Sequence, residues 1–216
     1  KYDFGGTGWY DSYTLFNTFG GAIQILSMMV AFPVLRKFFD TIKIFYISLF
    51  SAIIGYAVLL CLAFVNMSSV YLLFVPGFFI FAANGVLQVL TTIYLANTVE
   101  YGELKNNRRD ESVIFSMQTF VVKLASGVAA LLASICLSVF ALKGGDVTEE
   151  EKLVDWALDV AQSSKVGLRM TMTILPIIGL FVGLMWFRKK YILTESKVDE
   201  INAELKARQP EAGDAQ

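Results

Sequence analysis

The 216 residues are 56% hydrophobic and only 17% charged, with 18 phenylalanines and a net charge of -1. Soluble domains average about 45 to 50% apolar and about 25% charged residues, so the composition is that of a chain whose solvent is a bilayer. There is no histidine, which removes Ser-His and Cys-His catalysis and argues against a transition-metal centre within this sequence.

Residues 1–14, with the glycine- and aromatic-rich stretch YDFGGTGWYD, read as an interfacial loop on the outer side. Apolar runs of 18 or more residues mark membrane spans, and five follow: 15–35, 44–65, 70–96, 113–142 and 170–187. Asn17 and Gln24 lie on one face of the first run, flanked by Gly20 and Gly21. Pro33, Pro76 and Pro176 bend or end spans, and Gly77 and Gly85 are soft points of the third. Cys61 and Cys136 fall inside spans, far from any CxxC spacing, and read as core filler.

Charge between the runs alternates in density. Arg36, Lys37 and Lys43 follow the first span, Lys105, Arg108 and Arg109 the third, and Arg188, Lys189 and Lys190 open the tail 188–216. The intervening connections are neutral at Asn66 to Ser69 and acidic across 143–169, where Glu149, Glu150 and Glu151 cluster. Basic loops face the cytoplasm, which places the amino end outside and the carboxyl end inside. Thr148-Glu149-Glu150-Glu151 is a capping-box start for a short amphipathic helix in the outer loop. Val198, Ile201 and Leu205 mark another in the tail, and the closing QPEAGDAQ has the composition of disorder.

Polar residues inside the apolar runs carry the functional information. Lys123 lies about ten residues from the cytoplasmic end of its helix, about 15 Å along the axis against a hydrocarbon core of about 30 Å. An ammonium at that depth costs about 2.5 to 3.5 kcal/mol even on insertion scales, and none of the five spans holds an Asp or Glu. It must therefore face a cavity, a ligand or a carboxylate from elsewhere. Ser116, Thr119, Lys123, Ser126, Gly127, Ala130 and Ser134 recur three and four residues apart, so one face of this helix is polar or close-packed. Thr119 and Gln118 flank Lys123 as substrate-binding or coupling candidates. In the third span Asn84, Gln88 and Thr91 share a face. Amides suit a carbohydrate because each donates and accepts at once; taken singly, the same residues serve equally well as glue between helices. The charges from Glu100 to Glu111 alternate in sign and suit ion pairs that differ between two conformations, a cytoplasmic latch.

The segment NTVEYGELKNNRRDESVIFSMQTFVVK, residues 97–123, resembles the glycoside-pentoside-hexuronide:cation symporters, the melibiose-permease-like branch of the major facilitator superfamily. Glu100, Tyr101, Gly102, Lys105, Arg109, Glu111 and Lys123 fit the family's order of residues, and Asn97 stands where the family usually has Asp. FPVLRKFF, AQSSKVGLRM and ILTESKVDEINAEL extend the likeness to the lactose and xyloside carriers. The resemblance implies an all-α membrane protein whose five spans are numbers eight to twelve of a twelve-helix carrier. It implies cation-coupled sugar symport by alternating access, with Glu100, Arg109 and Glu111 as latch residues. The coupling cation, Na+ or H+, would bind in an amino-terminal half outside this sequence, so the chain itself, which opens on Lys1, reads as part of a longer carrier. The partners are thus a sugar, a cation, lipid and that other half. Neither nucleic acid nor a cofactor or metal is expected, and the absence of Walker, dinucleotide and HExxH motifs argues against an enzyme. A membrane scaffold or receptor-like bundle is the rival reading; it explains the spans and leaves Lys123 without a task.

Overall fold

A computed structural model describes residues 9–64, 70–139 and 162–208. Within them the chain is helical with no strand: α1 (Trp9–Leu26), α2 (Phe32–Arg36), α3 (Thr41–Ala63), α4 (Phe74–Asn106), α5 (Glu111–Val139), α6 (Gln162–Lys190) and α7 (Glu195–Arg208). Five helical segments are long and apolar enough to cross a membrane: Tyr13–Arg36, Thr41–Leu62, Tyr71–Asn106, Glu111–Val139 and Val166–Lys190. A bilayer core offers the backbone no hydrogen-bond partners, so each crossing segment must satisfy its own amides as a helix. The outer-loop helix anticipated from the capping box and the closing QPEAGDAQ lie outside the described residues, and α6 begins eight residues before the apolar run at Met170.

The first span is α1 and α2 in one rod, joined by a π turn at Ser27–Ala31. Pro33 causes the wide turn to sit there: proline has no N–H to donate and its ring crowds the preceding turn. The Phe32 amide reaches back to the Ser27 carbonyl, which absorbs the mismatch.

Helix α4 is central, packing against α1, α3 and α7 and joining α5 at its carboxyl end. The approach to α1 is close because Gly85 has no side chain. A Cβ there would stand 2.5 Å from the Gln24 carbonyl oxygen and 3.0 Å from Ser27 Cβ. Gly20 admits the Phe81 ring, and Gly55 brings α3 against Ile80 and the Pro76 carbonyl. Gly77, beside the Phe16 ring, and Gly85 are therefore contact points between helices, in place of the soft points expected from the sequence. Phe19 stacks on Phe74 with ring centres 4.4 Å apart. The core cluster of Ile44, Val86 and Leu90 lies toward the end of the bundle that carries α7, where Phe45, Tyr94, Phe187 and Tyr191 tie α3, α4 and α6 together through rings 4.1 to 5.8 Å apart.

The third span runs ten residues past the expected Ala96 boundary, to Asn106. At 33 residues it is about 50 Å long, well beyond the about 30 Å hydrocarbon core. Buried Val99 keeps it packed past the membrane, and Asn107, with φ 51°, stops it in the left-handed conformation that asparagine tolerates. The expected loop 97–112 is thus reduced to four residues, 107–110. Cys61 is exposed and Cys136 half-buried in the wall of an apolar groove between α5 and α6, so neither fills the core.

Helix α5 buries no residue within this chain. The tail helix α7 is docked, with Leu193 and Ile201 each 7% exposed and Arg208 donating 3.0 Å bonds to the Leu104 carbonyl and Asn107 Oδ1.

Gly85→Ala should lower the thermal midpoint of the detergent-solubilised protein, at a cost of about 1 to 3 kcal/mol, because the Cβ meets backbone. Gly21→Ala, which meets nothing within 4 Å, should leave the midpoint unchanged in the same assay.

Candidate functional site

Three polar groupings follow from this framework. The first is the α5 face. Ser116, Thr119 and Ser126 lie along it, and each hydroxyl donates to a carbonyl of its own helix at 2.8 to 3.0 Å: Val113, Phe115 and Val122 respectively. Such back-bonding hides a hydroxyl from the hydrocarbon and leaves its lone pairs able to accept. Lys123 is exposed on α5, and no carboxylate among the described residues pairs with it. Gln118 is half-buried and Thr119 exposed.

The second grouping joins α1 to α4. Gln24 Nε2 donates to Gln88 Oε1 at 3.1 Å, uniting two amides that the sequence offers in separate spans. Gln88 thereby uses its carbonyl as interhelical glue and keeps its NH2 group free to donate. Asn84, one turn earlier, is exposed, as are Thr91 and Thr92, whose hydroxyls bond the Leu87 and Gln88 carbonyls. Among the described residues no hydrogen bond links Asn84 or Gln88 to Gln118, Thr119 or Lys123.

The third lies at the turn between α4 and α5. Arg109 spans the α4–α5 turn, with Nη1 3.0 Å from Glu103 Oε2 and both Nε and Nη2 3.0 Å from Glu111 Oε2. Glu111, then Glu103, pushes its guanidinium pKa up. Glu100, expected as a latch residue with Arg109 and Glu111, makes no ion pair among the described residues, and Glu103 is the second carboxylate on Arg109. Arg108 pairs locally with Asp110 at 2.7 Å.

A neighbouring cluster has no counterpart in the sequence reading. Glu195, at the start of α7, pairs with Arg36 and accepts from the Thr41 amide at 2.7 Å and the Thr41 hydroxyl at 2.5 Å. Partial burial would raise the Glu195 carboxyl, and the Thr41 and Arg36 bonds outweigh it, holding the group below the usual carboxylate value. The contact is therefore present at neutral pH and is lost as pH falls through that lowered value. Tyr94 donates to the Thr41 carbonyl at 3.1 Å. Arg36, Thr41, Tyr94, Asn97, Tyr191 and Glu195 line a pocket of about 130 Å³. The Tyr191 hydroxyl is buried in it without a well-formed hydrogen bond. Burial pushes its pKa up, and the Asn97 amide, its polar neighbour, pulls it partly back. Asn97 thus belongs to this pocket. No group of His, Cys, Asp or Glu able to hold a metal occurs among the described residues.

Residues 7–195 match the family described as MFS/sugar transport protein. The chain belongs to this family. Among curated relatives, a lactose permease of Lactobacillus delbrueckii subsp. bulgaricus is 29% identical over 88% of this chain and 27% of its own length. A raffinose carrier protein of Pediococcus pentosaceus is 28% identical over 56% of this chain and 16% of its own length. The symporter YnaJ of Bacillus subtilis is 27% identical over 87% and 37% respectively. The chain therefore spans well under half the length of the relatives it matches. Membership agrees with the melibiose-permease-like resemblance and, with the five apolar helices, with an integral membrane protein.

Exposed ion pairs contribute about 0.2 to 1 kcal/mol each, so removing both Arg109 partners should loosen the α4–α5 turn measurably. In limited proteolysis, Glu103→Gln with Glu111→Gln should speed tryptic cleavage after Arg109 by about three- to tenfold. Glu100→Gln should leave the rate unchanged.

Proposed function

We propose that this chain is the carboxyl-terminal part of a sugar symporter that couples uptake of a glycoside, pentoside or hexuronide to Na+ or H+ by alternating access. The observation that carries the reading is Lys123: a cation in the middle of a membrane span, without a carboxylate partner among the described residues, in a family of sugar transporters. A lysine is retained at such depth when a carboxylate or a ligand meets it. The five spans then correspond to numbers eight to twelve of the carrier, with the basic connections, including Arg36, Arg109 and Lys189, in the cytoplasm of a bacterium and the carboxyl end with them.

In this mechanism Lys123 reaches across the central cavity to an Asp or Glu of the amino-terminal half, where the cation also binds. Sugar and cation occupy the space between the halves and compete for that carboxylate, so loading weakens the bridge and frees the halves to rock. Thr119 and Gln118 supply hydrogen bonds beside Lys123, while Asn84 and the free NH2 of Gln88 are the donors available on α4. Arg109, with Glu103 and Glu111, holds the α4–α5 turn in one access state. Two of the relatives carry the names of lactose and raffinose; both sugars are neutral and contain galactose, which favours a neutral galactoside over a hexuronide as the cargo.

Lys123→Met in the complete carrier should abolish uphill sugar uptake at unchanged membrane abundance, since the side-chain volume is nearly kept and the charge is lost. Uptake and sugar binding that both stay at the wild-type level would assign Lys123 a purely structural role.

A further inference from the structure

Helix α3 begins at Thr41 with Asp40 in the N-cap position, in extended backbone geometry at φ -66° and ψ 155°. Asp is among the best N-cap residues because its carboxylate can accept the first free amides of the helix. Here it does not: the Asp40 side chain makes no cap bond and turns instead to Lys43, with Asp40 Oδ2 2.7 Å from Nζ. The Thr41 amide would be left open at the base of a helix whose first residues, Thr41 and Ile44, are buried. Glu195 fills the gap from 154 residues away, taking both the Thr41 amide and the Thr41 hydroxyl on Oε1.

We propose that Glu195 caps α3 in trans, and that this cap makes the tail helix α7 a strap across the cytoplasmic ends of α2, α3, α4 and α6. The strap has three further attachments. Leu193 and Ile201 are buried against the bundle, the Tyr191 ring stacks with Phe187 of α6 and packs against Tyr94 of α4, and Arg208 closes the far end on Leu104 and Asn107. The cap outweighs the ion pair in this role. Arg36 and Glu195 are 45% and 34% exposed, where an ion pair contributes little, whereas the Thr41 amide is a helix-terminal donor that needs an acceptor. In a carrier of the kind proposed above, on which this last step rests, Glu195 is a positioning residue. It keeps these helix ends moving as one body, so its loss should slow turnover while leaving sugar affinity intact.

The structural part is tested without sugar. Hydrogen exchange on the complete carrier in lipid nanodiscs should be compared for wild type, Glu195→Ala, Glu195→Gln and the reversal Arg36→Glu with Glu195→Arg. Loss of a charge-assisted acceptor should speed exchange of the first α3 amides and of residues 195–208 about tenfold in Glu195→Ala. Glu195→Gln keeps an acceptor oxygen and should change them by less than about threefold. The reversal restores the ion pair but offers Thr41 no acceptor, so it should exchange as fast as Glu195→Ala. Wild-type exchange in Glu195→Ala would overturn the strap, and protection restored by the reversal would overturn the cap in favour of the ion pair. Equilibrium sugar binding and the maximal exchange rate then test the positioning role. Unchanged turnover with faster hydrogen exchange would refute that role alone, and a protein that moves no sugar at all would count against the transport reading, not the strap.

Discussion

Everything in the described part of this chain is organised by how closely two neighbours can approach α4. In hydrocarbon there is no hydrophobic drive to bring helices together, so packing and short polar contacts must do it. Gly85 lets the α1 backbone in, Gly55 lets α4 lie against α3, and the Gln24–Gln88 bond closes the same α1–α4 seam. With that seam set, the carboxyl-terminal extension of α4, taken from Tyr94 onward, carries Tyr94, Asn97 and Glu103 and ends at Asn107. The aromatic cluster, the Arg109 turn and the tail helix all attach to that extension.

The polar groups divide by depth. At the end of the bundle that carries α7 arginines are paired within the chain, Arg36 with Glu195, Arg109 with its two carboxylates and Arg208 with the α4 carboxyl end, and the buried Tyr191 hydroxyl is the exception. On α5 the hydroxyls of Ser116, Thr119 and Ser126 are satisfied by their own helix, and Lys123 is left without a counter-charge among the described residues. The absence of any buried residue on α5 follows the same division. A span that packs so little against the described residues, and that carries a cation, is the one that the proposed carrier would turn toward its amino-terminal half.

The spans were legible because hydropathy over 18 or more residues is a strong signal, and the family because residues 97–123 combine rare features in a fixed order. Boundaries were less so. The α4 end was placed at Ala96 because charges begin at Glu100, yet charge opposes membrane burial and does not oppose helix, so the helix continues while Val99 stays packed. The glycines of α4 looked like points of weakness because a sequence does not show what lies opposite. Glu195 was invisible for a different reason: a glutamate in the first turn of a helix is explained by its own helix dipole, and nothing local announces a partner 154 residues away.

The central claim is that this chain contributes to a path for sugar between two access states. Its most direct test is counterflow in proteoliposomes containing the complete carrier, preloaded with an unlabelled galactoside and diluted into the radiolabelled sugar without any ion gradient. The account predicts transient accumulation of label above the external concentration, because alternating access exchanges one bound sugar for another. Absence of exchange with every mono- and oligosaccharide tried, beside robust exchange of amino acids or lipids, would contradict it.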